Sequence, residues 1–227
     1  MIEKKIISAE EAAGLVKDGD IVMLSGFMAC GSPPDILDAL HEKGTKGMTL
    51  VCNDTALYNP KTEVMTGVAP LVFDKQFKTI VTSHIGLNAE TQRQMNAGET
   101  EVELVPQGTL AEQIRAGGAG LGGILTPTGV GTEVEEGKQV LEIDGKKFLL
   151  EKARKGDVAL IKAGTADKAG NLIYDKSSRN FGPLMATACE TVLVEVDKIV
   201  EIGELDPECV VTPGIFVDYL IQTKGVK

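Results

Sequence analysis

Short aliphatic runs recur along the chain, most of them followed by a stretch whose apolar residues fall three and four apart. Ser8 and Glu11 have the spacing of a capping box, in which each side chain satisfies a free N–H of the other residue. The spacing predicts a short helix over 9–16 that ends near Gly19. Ile21-Val22-Met23-Leu24 is an unbroken apolar run of strand length. Pro33 and Pro34 suit a first helical turn, Asp35 suits its positive end, and Ile36, Leu37 and Leu40 supply one apolar face. Residues 48–52, 79–82 and 102–105 read as further strands, with a helical stretch over 90–97 between the last two. Thr109 and Glu112 repeat the capping-box spacing and predict a helix opened by that pair, running through Arg115 and ending at Gly117-Gly118. Residues 157–161 and 192–196 are the last clear buried strands.

This alternation is the rhythm of strands joined by crossover helices, so the expected fold is α/β: a three-layer, open, mostly parallel sheet flanked by helices. One segment departs from it. Residues 140–143 and 146–150 are strand-like runs joined by Asp144-Gly145, a dipeptide suited to a two-residue turn, and they predict a small antiparallel hairpin inserted at the rim. No linker or repeat interrupts the pattern, so residues 1–227 are read as one domain.

Composition narrows the chemistry. A formal net charge of −10 argues against a broad nucleic-acid surface. Cys30, Cys52, Cys189 and Cys209 lie far apart and His41 and His84 complete the histidines, so no metal or redox motif is spelled out. The first residues mix acids and bases with no apolar core, and no run of 18 uncharged apolar residues follows. A cytoplasmic chain without a membrane span is expected.

The segment 25–34, SGFMACGSPP, lies between a strand and a helix, at the kind of strand end where open α/β sheets bind ligands. Gly26 and Gly31 permit close backbone approach, and backbone N–H groups there suit an anion or a developing oxyanion. The residues alone allow two readings: a ligand loop, or a structural turn with Phe27 filling the core. Neither a GxGxxG nor a phosphate-loop spacing is present.

Taken with what surrounds it, this segment resembles the signature of class I coenzyme A transferase alpha subunits: Asp18-Gly19, an aliphatic strand, Ser25-Gly26-Phe27, Gly31 and Pro33, with Ser25 where the family usually has glycine. Similar stretches follow in family order: VCNDTA (51–56), VPQGTLAEQIRAGGAGLGGILTPTGVGT (105–132), EEGK (135–138), ALIKAGTADKAGN (159–171), RNFGPLMATA (179–188) and TPGIFVDYL (212–220). The resemblance covers nearly the whole chain. It implies an enzyme that moves coenzyme A between short carboxylic acids, with acetyl-CoA or butyryl-CoA and a 3-oxoacid such as acetoacetate as substrates; the alternatives are a transferase for a dicarboxylate or 3-oxoadipate, or a noncatalytic sugar-phosphate-sensing protein of related fold. A homologous beta subunit is implied as partner in an α2β2 or larger assembly. The coenzyme is a substrate, and no tightly bound cofactor is implied.

In that family an active-site Glu of the beta subunit carries coenzyme A as a thioester, which conserves the free energy of the bond through two covalent steps. No matching Glu motif occurs here, and Glu90, Glu99, Glu101 and Glu103 are read as solvated. The resemblance places Gly26, Phe27, Met28, Ala29 and Gly31 against the acyl group. Asn53 and Asp54 are read either as an Asx turn or helix cap, or as pocket lining. Gln107, with Gly108, is read as a pocket amide or a turn stabiliser, and Ser83 is a weaker pocket candidate. His84 is read as a structural donor rather than a base. The glycines of 117–123 are either a flexible connection or a closely packed rim.

Overall fold

The computed structural model describes residues 3–225. The chain opens with β1 (Lys5–Ile6) and α1 (Ala9–Leu15), and the Ser8–Glu11 capping box is formed reciprocally, with N–H to oxygen distances of 3.1 and 2.9 Å. Next come β2 (Ile21–Leu24), α2 (Pro34–Lys43), β3 (Met48–Cys52), the short strands β4 (Tyr58–Asn59) and β5 (Val64–Met65), α3 (Ala69–Phe73) and β6 (Phe77–Thr82). They are followed by α4 (Ala89–Asn96), β7 (Glu101–Leu104), α5 (Gln107–Gly118), β8 (Gly123–Thr126), β9 (Val140–Ile143) and β10 (Lys146–Lys152). The chain closes with β11 (Gly156–Asp167), β12 (Leu172–Ile173), α6 (Gly182–Ala188), β13 (Cys189–Val200) and β14 (Tyr219–Gln222).

Eight strands form the central sheet in the order β1-β14-β13-β11-β2-β3-β6-β7, every neighbour parallel, with β12 added antiparallel to β11. The three-layer, mostly parallel architecture expected from the sequence is present. Alternate side chains feed two cores, as strand geometry requires. Val22, Leu24, Leu50, Cys52, Val158 and Leu160 pack with Ala12 of α1 and Ile36 and Leu40 of α2. Met23, Val51, Ala159 and Ile161 face the other way, onto Leu110 and Ile114 of α5 and Met185 of α6. From β2 the chain adds β3, β6 and β7 on one side and, later, β11, β13 and β14 on the other. The order reverses at β2, and the crevice beyond its carboxyl end is the place where such sheets receive ligands.

The hairpin forms as expected, with Ile143 opposite Lys146 and with Asp144 and Gly145 both left-handed, at φ 51° and 75°. It gains a third strand, because β8 pairs with β10. Of the glycines in 117–123, Gly117 and Gly118 close α5 and Gly123 opens β8.

Two expectations need correction. Helix α5 begins at Gln107 behind Pro106, so Thr109 is a buried residue inside the helix and does not cap it with Glu112. Proline supplies no N–H and is suited to the edge of the helix, which moves the start forward. Glu90 is buried rather than solvated, held by Arg93 at 2.7 and 2.9 Å and by Gln94 at 2.8 Å. Hydrogen bonds from the guanidinium keep its carboxyl below the usual range. Among the described residues no helix is long and apolar enough to cross a membrane.

Candidate functional site

The chain leaves β2 at Leu24 and turns back on itself before α2. Phe27 and Cys30 exchange two backbone hydrogen bonds of 2.9 Å, a two-residue reversal with Met28 and Ala29 at φ 50° and 68°. Two non-glycine residues in the left-handed region mark stored backbone strain, held by the surroundings. The loop's base is tied by Ser25, which is buried: its hydroxyl donates to the Gly31 carbonyl at 2.6 Å and accepts the Lys162 N–H at 3.2 Å. Ser32 donates to the Ser25 carbonyl at 2.9 Å. Ser25 is therefore a cross-tie between loop and sheet. Ser25→Gly is expected to lower unfolding free energy by about 1 kcal/mol, the net worth of such bonds, as a shift in urea midpoint. An unchanged midpoint would contradict that role.

Gly26 is buried with φ 131°, and a β-carbon there would lie 2.0 Å from the Ser32 hydroxyl oxygen. This glycine is needed by the fold itself. Its N–H donates to Asn180 Oδ1 at 2.9 Å, while the Met28 N–H donates to both Asp54 oxygens at 3.1 and 3.0 Å. With the Phe27 and Cys30 amides also engaged, the N–H groups of Ala29 and Gly31 are the ones in this loop, among the described residues, that have no protein acceptor. Phe27 is 51% exposed and Met28 49%, so Phe27 does not fill the core. Ala29 is half-buried and packs toward the core beside Gly67.

The next strand ends bring amide side chains to this loop. Asn53, at the end of β3, is buried and accepts from Gln107 Nε2 at 2.8 Å through Oδ1, while its own Nδ2 donates to Asp54 at 2.8 Å. Asp54 also accepts the Ala56 N–H at 2.8 Å, the Asx turn that was one of its two readings, and through Met28 it fastens the loop tip. Gln107 is exposed in the first turn of α5, with Gly108 beside it. Ser83 donates to the Asn53 carbonyl at 2.7 Å. His84 accepts the Gly86 N–H at 3.1 Å, closing a turn.

A cleft of about 340 Å³ opens here, lined by Phe27, Cys30, Asn53, Gln107, Ser177, Asn180 and Phe181. Three expected residues, Phe27, Asn53 and Gln107, line it together. Gly26, Met28, Ala29, Gly31, Asp54, Ser83 and Gly108 stand behind or beside its wall. Cys30, Ser177, Asn180 and Phe181 were not foreseen. RNFGPLMATA had flagged the neighbourhood of the last two, but no local pattern points residues 177–181 at a loop some 150 positions earlier. Among the described residues the wall carries no carboxylate and no cation. Among the same residues no group of three or more His, Cys, Asp and Glu is arranged to hold a metal ion.

Residues 6–223 match the family model described as Coenzyme A transferase. Over 226 residues the chain is 50% identical to the alpha chain of the acetate CoA-transferase of Escherichia coli K12, covering 100% of each. It is 44% identical over 218 residues to one chain of a probable succinyl-CoA:3-ketoacid coenzyme A transferase of Bacillus subtilis, covering 96% of this chain and 89% of that one. Its fold superposes with a TM-score of 0.89, at 22% identity, on an acyl-CoA transferase of E. coli O157:H7 in a thioester complex with CoA. The match covers 99% of this chain and 48% of that longer one.

Proposed function

This chain belongs to the coenzyme A transferase family as an alpha subunit, and on that premise we propose that it forms the acyl-side wall of an active site completed by a beta subunit carrying the nucleophilic Glu. The observation that carries the reading is the cleft at the strand ends, where the amides of Asn53 and Gln107 meet the glycine loop and, among the described residues, no carboxylate lines the wall.

The chemistry assigns each part a task. The partner's glutamate attacks the acyl-CoA carbonyl, and the tetrahedral oxyanion collapses to an acyl-glutamyl anhydride with loss of the coenzyme A thiolate. The thiolate then attacks the glutamyl carbonyl, giving a glutamyl-CoA thioester and the free carboxylate. A second acid reverses both steps and leaves as the new acyl-CoA. The Ala29 and Gly31 N–H groups, which stand beside the cleft wall without an acceptor in the chain, are the loop's candidates for oxyanion donors once the partner completes the site, since those of Gly26 and Met28 are already used. Gln107 retains amide capacity for the carboxylate of the acceptor acid without adding a charge. Water is kept from the anhydride by the apolar faces of Phe27 and Phe181.

The acid preference is left wider than the sequence expectation of acetyl and butyryl donors. Similar chains named for acetate and for succinyl-CoA:3-ketoacid transfer differ little in their identity to this one. The reading proposed is a transferase between a short acyl-CoA and a short carboxylic acid, 3-oxoacids included. With acetoacetate as acceptor, the specificity constants for acetyl-CoA, butyryl-CoA and succinyl-CoA test it on the assembled enzyme. Turnover with at least one of these donors is expected, and the uncharged wall predicts that a succinyl preference would require a cation from the partner. Absence of transfer from all three would overturn the reading.

A further inference from the structure

We propose that Asn180 is a positioning residue for coenzyme A transfer: its amide holds the two limbs of the glycine loop at a fixed height over the strand ends. The inference rests on the transferase reading above and assigns to this chain a residue that acts on the reaction through the loop.

The geometry is unusually complete for one side chain. Asn180 Oδ1 accepts the Gly26 N–H at 2.9 Å, on the limb leaving β2, and the Phe181 N–H at 2.7 Å. Asn180 Nδ2 donates to the Cys30 carbonyl at 3.1 Å, on the returning limb, and to the carbonyls of Ser178 and Ser177 at 3.0 and 3.3 Å. Accepting from two N–H groups while donating to carbonyls on separate segments takes an acceptor oxygen together with two N–H hydrogens; a hydroxyl or a neutral imidazole donates only one hydrogen, so a carboxamide fits. Asparagine is also the shorter of the two, and there is no slack for the longer one: a β-carbon on Gly31 would lie 2.7 Å from Asn180 Nδ2 and 2.5 Å from the Ser178 carbonyl oxygen.

The same side chain forms part of the cleft wall with Phe27 and Cys30. The loop it spans contains the strained pair Met28–Ala29 and the free amides of Ala29 and Gly31. The reversal's own hydrogen bonds fix its shape, but they do not fix its height above the sheet. Height is set by ties to other segments: Ser25 to Lys162 at the base, Asp54 at the tip, and Asn180 across both limbs. Without Asn180 the Gly26 N–H is orphaned in a buried position, and the loop is free to settle toward another acceptor. A shift of about 1 Å in a loop that borders the reacting groups costs up to about 10²-fold in rate.

Two variants, assembled with the beta subunit, test the assignment. Asn180→Ala removes both halves of the clamp and is expected to lower kcat by about 10- to 100-fold while KM for acyl-CoA stays within about threefold, the pattern of an interaction lost in the transition state. Asn180→Asp is isosteric and keeps the acceptor half toward Gly26 and Phe181, but when ionised its second oxygen faces the Cys30 and Ser178 carbonyls with no hydrogen to donate. It is expected to lower kcat by about 10-fold, again with little change in KM. A merely structural role predicts that the folded, assembled variants keep the wild-type kcat. An assembled Ala or Asp variant with wild-type kcat overturns the inference. Should the Ala variant not fold, the Asp variant alone decides. Failure of the wild-type assembly to transfer coenzyme A would instead overturn the functional reading, so the two failures are told apart.

Discussion

Gly31→Val is expected to cost about 3 kcal/mol of stability and, in whatever assembled enzyme is recovered, about 10²-fold or more in kcat/KM. Two independent penalties act at this position. Gly31 has φ 83°, in the left-handed region where a β-branched residue is disfavoured. Its missing β-carbon also leaves room for the segment around Ser178 and Asn180, which would otherwise be met at 2.5 to 2.7 Å, a distance that forces the neighbours to move. The atom met first is a backbone carbonyl oxygen, which cannot swing aside as a long side chain does. The displacement therefore passes to the Asn180 clamp and, through it, to the Gly26 limb of the loop. Thermal unfolding and steady-state transfer read the two effects. A Val variant with the original melting temperature and rate would mean that the loop and the 177–181 segment do not pack as described.

The second large effect concerns the chain in isolation. Its fold does not depend on a partner for its central sheet, since both faces of the sheet are covered by the chain's own helices and the largest core side chains are fully buried. Transfer, by contrast, needs a carboxylate nucleophile at the cleft, and the cleft wall built by this chain supplies amides and phenyl rings. The isolated chain is expected to fold and to show less than about 10⁻⁴ of the rate of the assembled enzyme, the scale of loss when a covalent nucleophile is removed. Adding the beta subunit should restore the rate. The apolar loop tip, with Phe27 and Met28 half exposed, is the surface expected to become covered on assembly.

How much of this was legible in the sequence depends on how local the cause is. The start of α1 was readable because Ser8 and Glu11 cap it with their own side chains, three residues apart. The 140–150 hairpin was readable because Asp144-Gly145 supplies the two left-handed residues the turn requires. The start of α5 was misplaced because a capping spacing at Thr109 and Glu112 was given more weight than Pro106, which bounds the helix earlier. Strand β14 was not read as a strand, because Tyr219–Gln222 is short and gains its meaning only beside β13.

The candidate site shows the same division. The position of residues 25–34 after a buried strand announced a loop at the sheet's carboxyl edge, and Asn53 and Gln107 followed from the ends of neighbouring strands. Which amides of the loop are free did not follow, because this depends on Asn180, 154 positions from Gly26, and on Asp54, 26 positions from Met28. Nor did the exposure of Phe27: an aromatic residue beside glycines reads equally as core or as surface until the reversal at Met28–Ala29 turns it outward. Ser25 looked like a departure from the family pattern, and its use became visible only once Gly31 and Lys162 stood beside it.

The central claim, that this chain shapes the acyl side while its partner carries the coenzyme, is tested most directly by trapping. The assembled enzyme is incubated with acyl-CoA, quenched with borohydride or hydroxylamine, digested, and read by peptide mass spectrometry. One modified Glu is expected, in the beta subunit, with every Glu of this chain unmodified. A modified Glu in this chain would contradict the account.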